Sequence, residues 1–212
     1  MEMQQLIKAV IAGNAPETKS LAEAALTDGI APATIVNDGL IAAMGVVGER
    51  FGCGEIYVPE MLLSARAMQT ALAVLEPLMS KSDVGARGTV VIGTVKGDVH
   101  DIGKNIVAIM LKGSGFTVHD LGVDVPAERF VEAIQELQPD VLGISALLTT
   151  TMPAMQVVID ALVAAGLRDQ VKVLVGGAPV TEEFAQSIGA DGYGRDAGAA
   201  AEQAKQLILA AG

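Results

Sequence analysis

The sequence lacks tryptophan, and it contains one cysteine, two histidines and only 3% aromatic residues. A single cysteine, Cys53, cannot form an internal disulfide or a cysteine-rich zinc site, and it fits a reducing compartment. We expect Cys53 to be a small residue at a helix end. The many small side chains favour helices packed closely on one another or on a sheet.

Positive charge and long apolar runs are also scarce. The chain carries 14 Lys and Arg against 25 Asp and Glu, a net charge of −11, so its surface is poorly suited to nucleic acid. The N-terminal stretch MEMQQLIKAVIAG lacks the pattern of a secretion signal, and no stretch offers the roughly 18 apolar residues of a membrane span. We therefore expect a cytoplasmic protein that binds neither nucleic acid nor membranes.

Residues 1–82 show helical patterns and no convincing strand. A first apolar repeat ends at Gly13, and Pro16, Pro32 and Pro59 mark the starts of three further helices. Four helices with short connections predict an antiparallel four-helix bundle as the first domain.

After the polar segment 80–88, the pattern changes to short apolar runs separated by helical stretches. TVVIGTV, VLGIS and VKVLVGG are typical of strands buried on both faces of a parallel sheet, and FTVHDLG and ADGYG are weaker strands. Predicted helices lie between and after them, at 103–114, 126–138, 152–166, 181–188 and 196–210. Residues 87–212 are thus predicted to form a flavodoxin-like, Rossmann-type doubly wound sheet of five parallel strands in the order 2-1-3-4-5.

The loop after the first strand, GTVKGDVHDIGKN, is the most unusual stretch. A carboxylate at Asp98 can hold one ring N–H of His100 if the loop is extended, leaving the other ring nitrogen free to bind a metal or abstract a proton. Local hydrogen bonding is the alternative. A phosphate loop is disfavoured, because neither GxxxxGK[ST] nor GxGxxG is present.

Two more loops should lie at the same edge of the sheet, where the carboxyl ends of strands 1, 3 and 4 meet. The third strand is followed by Ser145 and the threonines at 149–151, and we expect at least one of these threonines to cap the helix that begins near Pro153. The fourth strand ends in Gly176 and Gly177, which either make room for a bulky ligand or form an ordinary turn.

These loops together contain three short motifs: D-x-H-x-x-G at Asp98, His100 and Gly103, S-x-L at Ser145 and Leu147, and G-G at Gly176 and Gly177. This series resembles the base-off, histidine-on cobalamin-binding signature of methionine synthase and of the corrinoid proteins of methyltransferase systems. The stretch 46–68, VVGERFGCGEIYVPEMLLSARAM, resembles part of the helical cap that precedes that domain. The resemblance covers nearly the whole chain, about 1–80 for the cap and 87–212 for the cofactor domain.

The resemblance implies roles for individual residues. His100 replaces dimethylbenzimidazole as the lower ligand of cobalt, presenting Nε2, while Asp98 accepts the other ring N–H. Thr151 completes the relay with a hydroxyl, where methionine synthase has serine. The remaining implied cofactor contacts are Gly103, Ser145, Leu147, Gly176 and Gly177 in the slot for the nucleotide tail, together with Val99, Asp101, Ile102 and Thr149.

Above the corrin, the resemblance implies an apolar lid of Phe51, Val58 and Met61. The alternative is that these three side chains only pack inside the bundle. Outside the motifs, we expect His119 to be structural, and we expect Asp196 either to cap a helix or, with Tyr193, to touch the nucleotide tail.

The implied function is that of a methyl carrier, which alone catalyses no complete turnover. Its cobalamin cofactor would alternate between methylcobalamin and cob(I)alamin at cobalt. A donor-specific methyltransferase would supply the methyl group from a methylamine, methanol, a betaine or a methoxyaromatic, and a second methyltransferase would pass it to tetrahydrofolate or to a thiol such as coenzyme M. A reductive activator is a further implied partner. The alternatives are a cobalamin-binding regulatory or sensor protein and a receiver-type domain without a corrinoid.

Overall fold

The computed structural model describes residues 3–78 and 87–210. These residues fall into two compact units, one made of the helical residues up to 78 together with Lys112–Gly115, and the other of the remaining residues from Arg87 onward. The predicted boundary between the domains falls at 79–86, outside the described residues, so the domain limits stay predictions. Within the described ranges, no helix has the length and apolar character to cross a membrane.

The first unit contains four helical stretches. They are α1 (Met3–Ile11), α2 (Ala15–Thr27), a continuous stretch of α3 (Pro32–Thr34), a π-helical segment (Ile35–Ile41) and α4 (Ala42–Gly52), and finally α5 (Val58–Leu75) with a 3-10 turn (Glu76–Leu78). Asn14 caps α2, since its side chain accepts a hydrogen bond from the backbone N–H of Glu17. The π-helical segment was not predicted, because no residue in that stretch signals a change from the α-helical pattern.

The turn between α1 and α2 lies directly against α5. Gly13 adopts a φ of +69°, and a Cβ atom there would lie 2.6 Å from the Cβ of Leu63. Ser64 on the same helix is buried, and its hydroxyl donates a hydrogen bond to the carbonyl oxygen of Ile11 at 3.1 Å. These contacts fix α1 and α2 against α5 while leaving the buried hydroxyl satisfied.

The second unit alternates strands and helices as predicted. Its elements are β1 (Thr89–Thr94), α6 (Ile102–Gly113), β2 (Thr117–Asp120), α7 (Ala127–Leu137), β3 (Val141–Ser145), α8 (Pro153–Ala164), a 3-10 turn (Arg168–Gln170), β4 (Lys172–Gly176), α9 (Glu182–Ser187), β5 (Gly192–Gly194) and α10 (Ala197–Leu209). The sheet order is β2-β1-β3-β4-β5 and every pair is parallel. The predicted fold class is confirmed.

The two faces of the sheet are buried against different helices. Val91, Leu142 and Val173 belong to a buried apolar cluster that also contains Phe130 of α7 and Met155 of α8. The next residue along each strand points to the opposite face. That opposite face carries Ile92, Gly143 and Leu174, which are aligned across β1, β3 and β4.

Phe130 is the largest fully buried side chain of this cluster, and its ring occupies the space beside Gly93, where a Cβ atom would lie 2.8 Å from Cε1. We expect Phe130→Ala to lower the free energy of unfolding by about 3–5 kcal/mol, because it removes buried area and leaves a cavity under β1. Urea unfolding followed by circular dichroism measures this loss. Phe130→Leu should lose clearly less, and a loss below about 1 kcal/mol for Phe130→Ala would contradict this packing.

Candidate functional site

The loop between β1 and α6 is held by hydrogen bonds at several points. The hydroxyl of Thr94, the last residue of β1, donates to the carbonyl oxygen of His100 at 3.0 Å. Gly97 adopts a φ of +83°, and its N–H donates to Oδ1 of Asp124 at 2.7 Å. The N–H of Asp98 donates to the carbonyl oxygen of Val95 at 3.1 Å, which closes the turn. All these hydrogen bonds are made within the protein, so its own backbone and side chains support the conformation of the loop.

The side chain of Asp98 is completely buried and accepts four hydrogen bonds. Oδ1 lies 3.1 Å from the backbone nitrogen of His100 and 2.7 Å from Nδ1 of the same residue. Oδ2 lies 2.7 Å from the backbone nitrogen of Leu147 and 2.7 Å from the hydroxyl oxygen of Thr151. The carboxylate thus joins the loop after β1 to the loop after β3.

Burial raises the pKa of the Asp98 carboxyl, but the hydrogen bonds from Leu147, Thr151 and His100 outweigh burial and hold the pKa well below its ordinary value. Asp98 is therefore ionised at neutral pH. An ionised acceptor beside Nδ1 favours the imidazole tautomer that carries its proton on Nδ1. The other ring nitrogen, Nε2, then presents its lone pair, and the side chain of His100 is 45% exposed.

The threonines after β3 do not have the role that their position suggested. The residue before α8 is Met152, which makes no side-chain capping hydrogen bond, so the expected threonine cap is wrong. Thr151 is buried instead, and its hydroxyl lies within hydrogen-bond distance of Asp98 and, at 2.9 Å, of the carbonyl oxygen of Leu148. A buried anion attracts the hydroxyl more strongly than the open backbone groups of the helix start. Thr149 is exposed.

A cavity of about 460 Å³ opens at the carboxyl ends of β1, β3, β4 and β5. It lies between the sheet face of Ile92, Gly143 and Leu174 and the helices α6 and α10, to which Val107 and Ala200 belong. Most of the predicted contact residues line it, namely Val99, His100, Asp101, Ile102, Gly103, Ser145, Leu147, Gly176 and Gly177. Asp98, Thr149 and Thr151 are not among its lining residues, and Asp98 acts on it through His100.

The inner wall of this cavity was not predicted residue by residue. Ile92, Gly143 and Leu174 lie inside strands, where they are indistinguishable in sequence from core residues. Their shared face becomes visible only once the strand order is known, because alternate residues of neighbouring strands then align. Asp196 also lines the cavity, and its Oδ1 accepts a hydrogen bond from the N–H of Ala199 at 2.8 Å, so it caps α10 as well. Tyr193 lines a separate, smaller cavity instead.

The glycines of the cavity have different physical reasons. A Cβ atom on Gly177 would lie 1.9 Å from the carbonyl oxygen of Ala146, and one on Gly176 would lie 2.9 Å from that of Gly194. These two glycines are therefore required by the protein's own backbone packing, a reason different from both the ligand space and the ordinary turn that the sequence suggested. Gly103 differs, because a Cβ atom there would meet no protein atom within 4 Å and would project into open space beside the cavity.

The remaining predicted residues lie elsewhere in the fold. Met61 on α5 is completely buried, while Phe51 at the end of α4 and Val58 at the start of α5 are half-buried, and their role as a lid stays a prediction. His119 is a strand residue of β2 aligned with Val91 of β1, as expected of a structural histidine. Cys53 is exposed and follows α4 directly, in agreement with a helix-end residue.

The fold is a doubly wound domain with an open cavity at the carboxyl edge of its sheet, where domains of this class bind their ligands, and the cavity lies next to a histidine held by a buried aspartate. Two family models described as B12 binding domains match the chain, one over residues 88–202 and one over residues 2–76. The chain therefore belongs to the family of B12-binding corrinoid proteins of methyltransferase systems, and the resemblance inferred from the motifs is confirmed.

Three similar proteins illustrate this membership. A dimethylamine corrinoid protein of Methanosarcina barkeri is 44% identical over 97% of this chain and 97% of its own length. A trimethylamine corrinoid protein of the same organism is 48% identical over 90% of this chain and 88% of its own length. The solved structure of the methanol:cobalamin methyltransferase complex MtaBC from Methanosarcina barkeri matches 98% of this chain and 79% of that chain, with a TM-score of 0.87 and 35% identity.

The burial of Asp98 leads to a prediction for the protein without ligand. Asp98→Asn should lower the free energy of unfolding by about 1–3 kcal/mol at pH 7, because an amide NH₂ would face the N–H donors that now meet a carboxylate. Since the native pKa lies below the unfolded value of about 3.9, the stabilisation by Asp98 is complete above about pH 5 and is lost as the pH falls below about 4.

Urea unfolding of wild type and Asp98→Asn at pH 7, 5 and 3.5 measures this dependence. The difference between the two proteins should shrink at the lowest pH. Asp169→Asn, at an exposed position, should match wild type throughout. A difference for Asp98→Asn that stays constant across this range would contradict the argument.

Proposed function

We propose that the protein is a methyl carrier that binds cobalamin with its own nucleotide base displaced and His100 in its place. The observation that carries the proposal is the His100 ring, held through Nδ1 by the buried Asp98 beside the cavity. When bound, the corrinoid supplies a cobalt centre that accepts a methyl group and releases it. The protein's part is to hold, tune and cover that centre.

His100 would be the protein's ligand to the metal through Nε2. The hydrogen bond from Nδ1 to Asp98 fixes the ring orientation and makes the free nitrogen more basic, as second-shell carboxylates do in other metal sites. The hydroxyl of Thr151 shares the charge of the carboxylate, so a proton reaching Asp98 would weaken the hold on the ring. The methyl group that distinguishes threonine from serine fits here. It lies near Gly97, and even a Cβ atom added to Gly97 would stay 3.7 Å from the Thr151 methyl carbon, an ordinary contact distance.

The cavity of about 460 Å³ would hold the displaced nucleotide tail. Its inner wall, with Ile92 and Leu174, and the facing Ala200 of α10 are buried and apolar, which suits a flat aromatic base. The open position at Gly103 supports the proposal, because a side chain there would enter the space beside the cavity. By the family resemblance, Phe51, Val58 and Met61 of the helical domain would form the lid that excludes water from the corrin, a role for which the half-buried Phe51 and Val58 are more accessible than the fully buried Met61.

Two partner methyltransferases would complete the reaction. The 44% and 48% identity to dimethylamine and trimethylamine corrinoid proteins supports dimethylamine or trimethylamine as the donor. The acceptor would be tetrahydrofolate or a thiol such as coenzyme M, through a second enzyme. A reductive activator would restore the carrier after oxidation. The chain by itself would then complete no turnover.

The first test is reconstitution with hydroxocobalamin followed by reduction to the Co(II) form. We expect nitrogen superhyperfine splitting in the EPR spectrum of the wild type and its loss in His100→Ala, because Nε2 would be the nitrogen bound to cobalt. His119→Ala is the matched control and should keep the splitting. Wild-type protein that retains no corrinoid, or splitting that survives in His100→Ala, would end the proposal.

The second test concerns the donor. Reduced, reconstituted protein should accept methyl groups when mixed with a dimethylamine or trimethylamine methyltransferase and its substrate, and more slowly or not at all with the methanol enzyme. The rise of the methylated form in the absorbance spectrum measures the transfer. Retention of cobalamin without transfer from any of these donors would favour the regulatory or sensor alternative.

A further inference from the structure

The loop that carries His100 also forms hydrogen bonds with a second neighbouring segment, Asp120–Asp124, which follows β2. The three motifs do not include this segment. It contacts the loop at its beginning, in its middle and at its end, whereas Asp98 ties the loop only to the opposite side, at the loop after β3.

The two ends of the loop are both fixed to this segment. At the beginning, the N–H of Thr94 donates to the carbonyl oxygen of Gly122 at 3.0 Å. At the end, the ammonium group of Lys104 donates to Oδ2 of Asp120 at 2.5 Å and to Oδ1 of Asn105 at 3.1 Å. Oδ1 of Asp120 in turn accepts from the N–H of Gly122 at 2.8 Å. A continuous set of hydrogen bonds therefore connects the start and the end of the loop.

The middle of the loop is fixed by Asp124. Its carboxylate accepts from the N–H of Gly97 at 2.7 Å, and its own N–H donates to the carbonyl oxygen of Asp98 at 2.9 Å. Asp124 is exposed and adopts a φ of +53°, a conformation that is uncommon outside glycine and that aspartate and asparagine adopt more readily than most other residues. One hydrogen bond holds Gly97 and the other holds the backbone of Asp98, whose carboxylate contacts the ring of His100.

These contacts are not explained by stability alone. Lys104 is 4% exposed and lies in the first turn of α6, where the helix dipole disfavours a cation. Its partner Asp120 is 36% exposed, and an ion pair that is open to solvent on one side contributes little net stability. An exposed residue at positive φ likewise buries almost no area. Both features make sense if they serve the position of the loop.

We propose that Asp124 and the Lys104–Asp120 ion pair are positioning residues for His100, which together hold its loop in the conformation that presents Nε2 to the cavity. The expected effect on corrinoid binding through His100 rests on the proposed function. The conformation of the loop itself can be measured without any ligand.

The experiment compares Asp124→Ala with Asp124→Asn and with Gln138→Ala. Gln138 is the other non-glycine residue at positive φ in the described chain, with a φ of 45° at the end of α7, so Gln138→Ala introduces the same alanine strain at a different place. Asparagine tolerates positive φ and can still accept from Gly97. Asp124→Asn should therefore restore what Asp124→Ala loses.

In the protein without ligand, amide hydrogen exchange at Gly97, Asp98 and His100 should be at least about tenfold faster in Asp124→Ala than in wild type, as expected for the loss of a charge-assisted hydrogen bond. Gln138→Ala should leave these amides unchanged. After reconstitution with cobalamin, the ratio of Co(II) with nitrogen splitting to Co(II) without it should fall by a similar factor in Asp124→Ala and return in Asp124→Asn.

Lys104→Met provides an independent variant, with Lys112→Met on the same helix as its control. Lys104→Met should accelerate exchange in the loop and lower the same EPR ratio, while its unfolding midpoint stays near that of wild type, because the Asp120 carboxylate left behind is exposed to water. Exchange rates and EPR ratios within twofold of wild type in both Asp124→Ala and Lys104→Met would overturn the inference. The two proposals can also fail separately. If exchange in the loop depends on Asp124 but the wild-type protein retains no corrinoid, the positioning role is supported and the proposed function is refuted.

Discussion

The site depends on one buried negative charge. A carboxylate with no exposed surface is tolerable only if its oxygens are fully hydrogen-bonded, and Asp98 meets this condition with four donors from three residues. Two donors come from His100 in the same loop, and the others from Leu147 and Thr151 after β3. The charge can be satisfied only when β1 and β3 lie side by side in register, as the alignment of Thr94 with Ser145 ensures. Fold and site are therefore coupled through this residue.

The fold could be predicted because its elements are marked by strong local signals. Uninterrupted apolar runs distinguish β1, β3 and β4 from the helices between them, and prolines mark the starts of several helices. The strand order follows from short right-handed crossovers, since few other arrangements satisfy them. The π-helical segment Ile35–Ile41 carries no such signal: its extra residue per turn depends on packing, which a helical repeat read along the chain does not show.

The site residues could be predicted where they lie close together in one sequence motif. Contacts between residues that are far apart in the sequence could not be predicted in the same way. His100 and Asp98 are two residues apart, so their contact follows from local geometry. One of the threonines at 149–151 was expected to cap the helix at Pro153, which none does, whereas the hydroxyl of Thr151 lies beside Asp98, the position that the family resemblance implied for it. Gly176 and Gly177 were found correctly as cavity residues, but their reason is contact with the backbone at Ala146 and Gly194.

Asp124 shows why part of a site escapes sequence analysis. It is 24 residues from His100 along the chain and has no catalytic or metal-binding pattern around it. The turn after β2 reaches the His100 loop only because β2 and β1 are adjacent in the sheet. Both neighbouring strands supply contacts to this loop: Asp98 joins it to the loop after β3, and Asp124 joins it to the turn after β2. A loop that follows β1 is well placed to receive such contacts. Strand β1 is flanked by β2 on one side and by β3 on the other, so the segments after both strands can reach the loop.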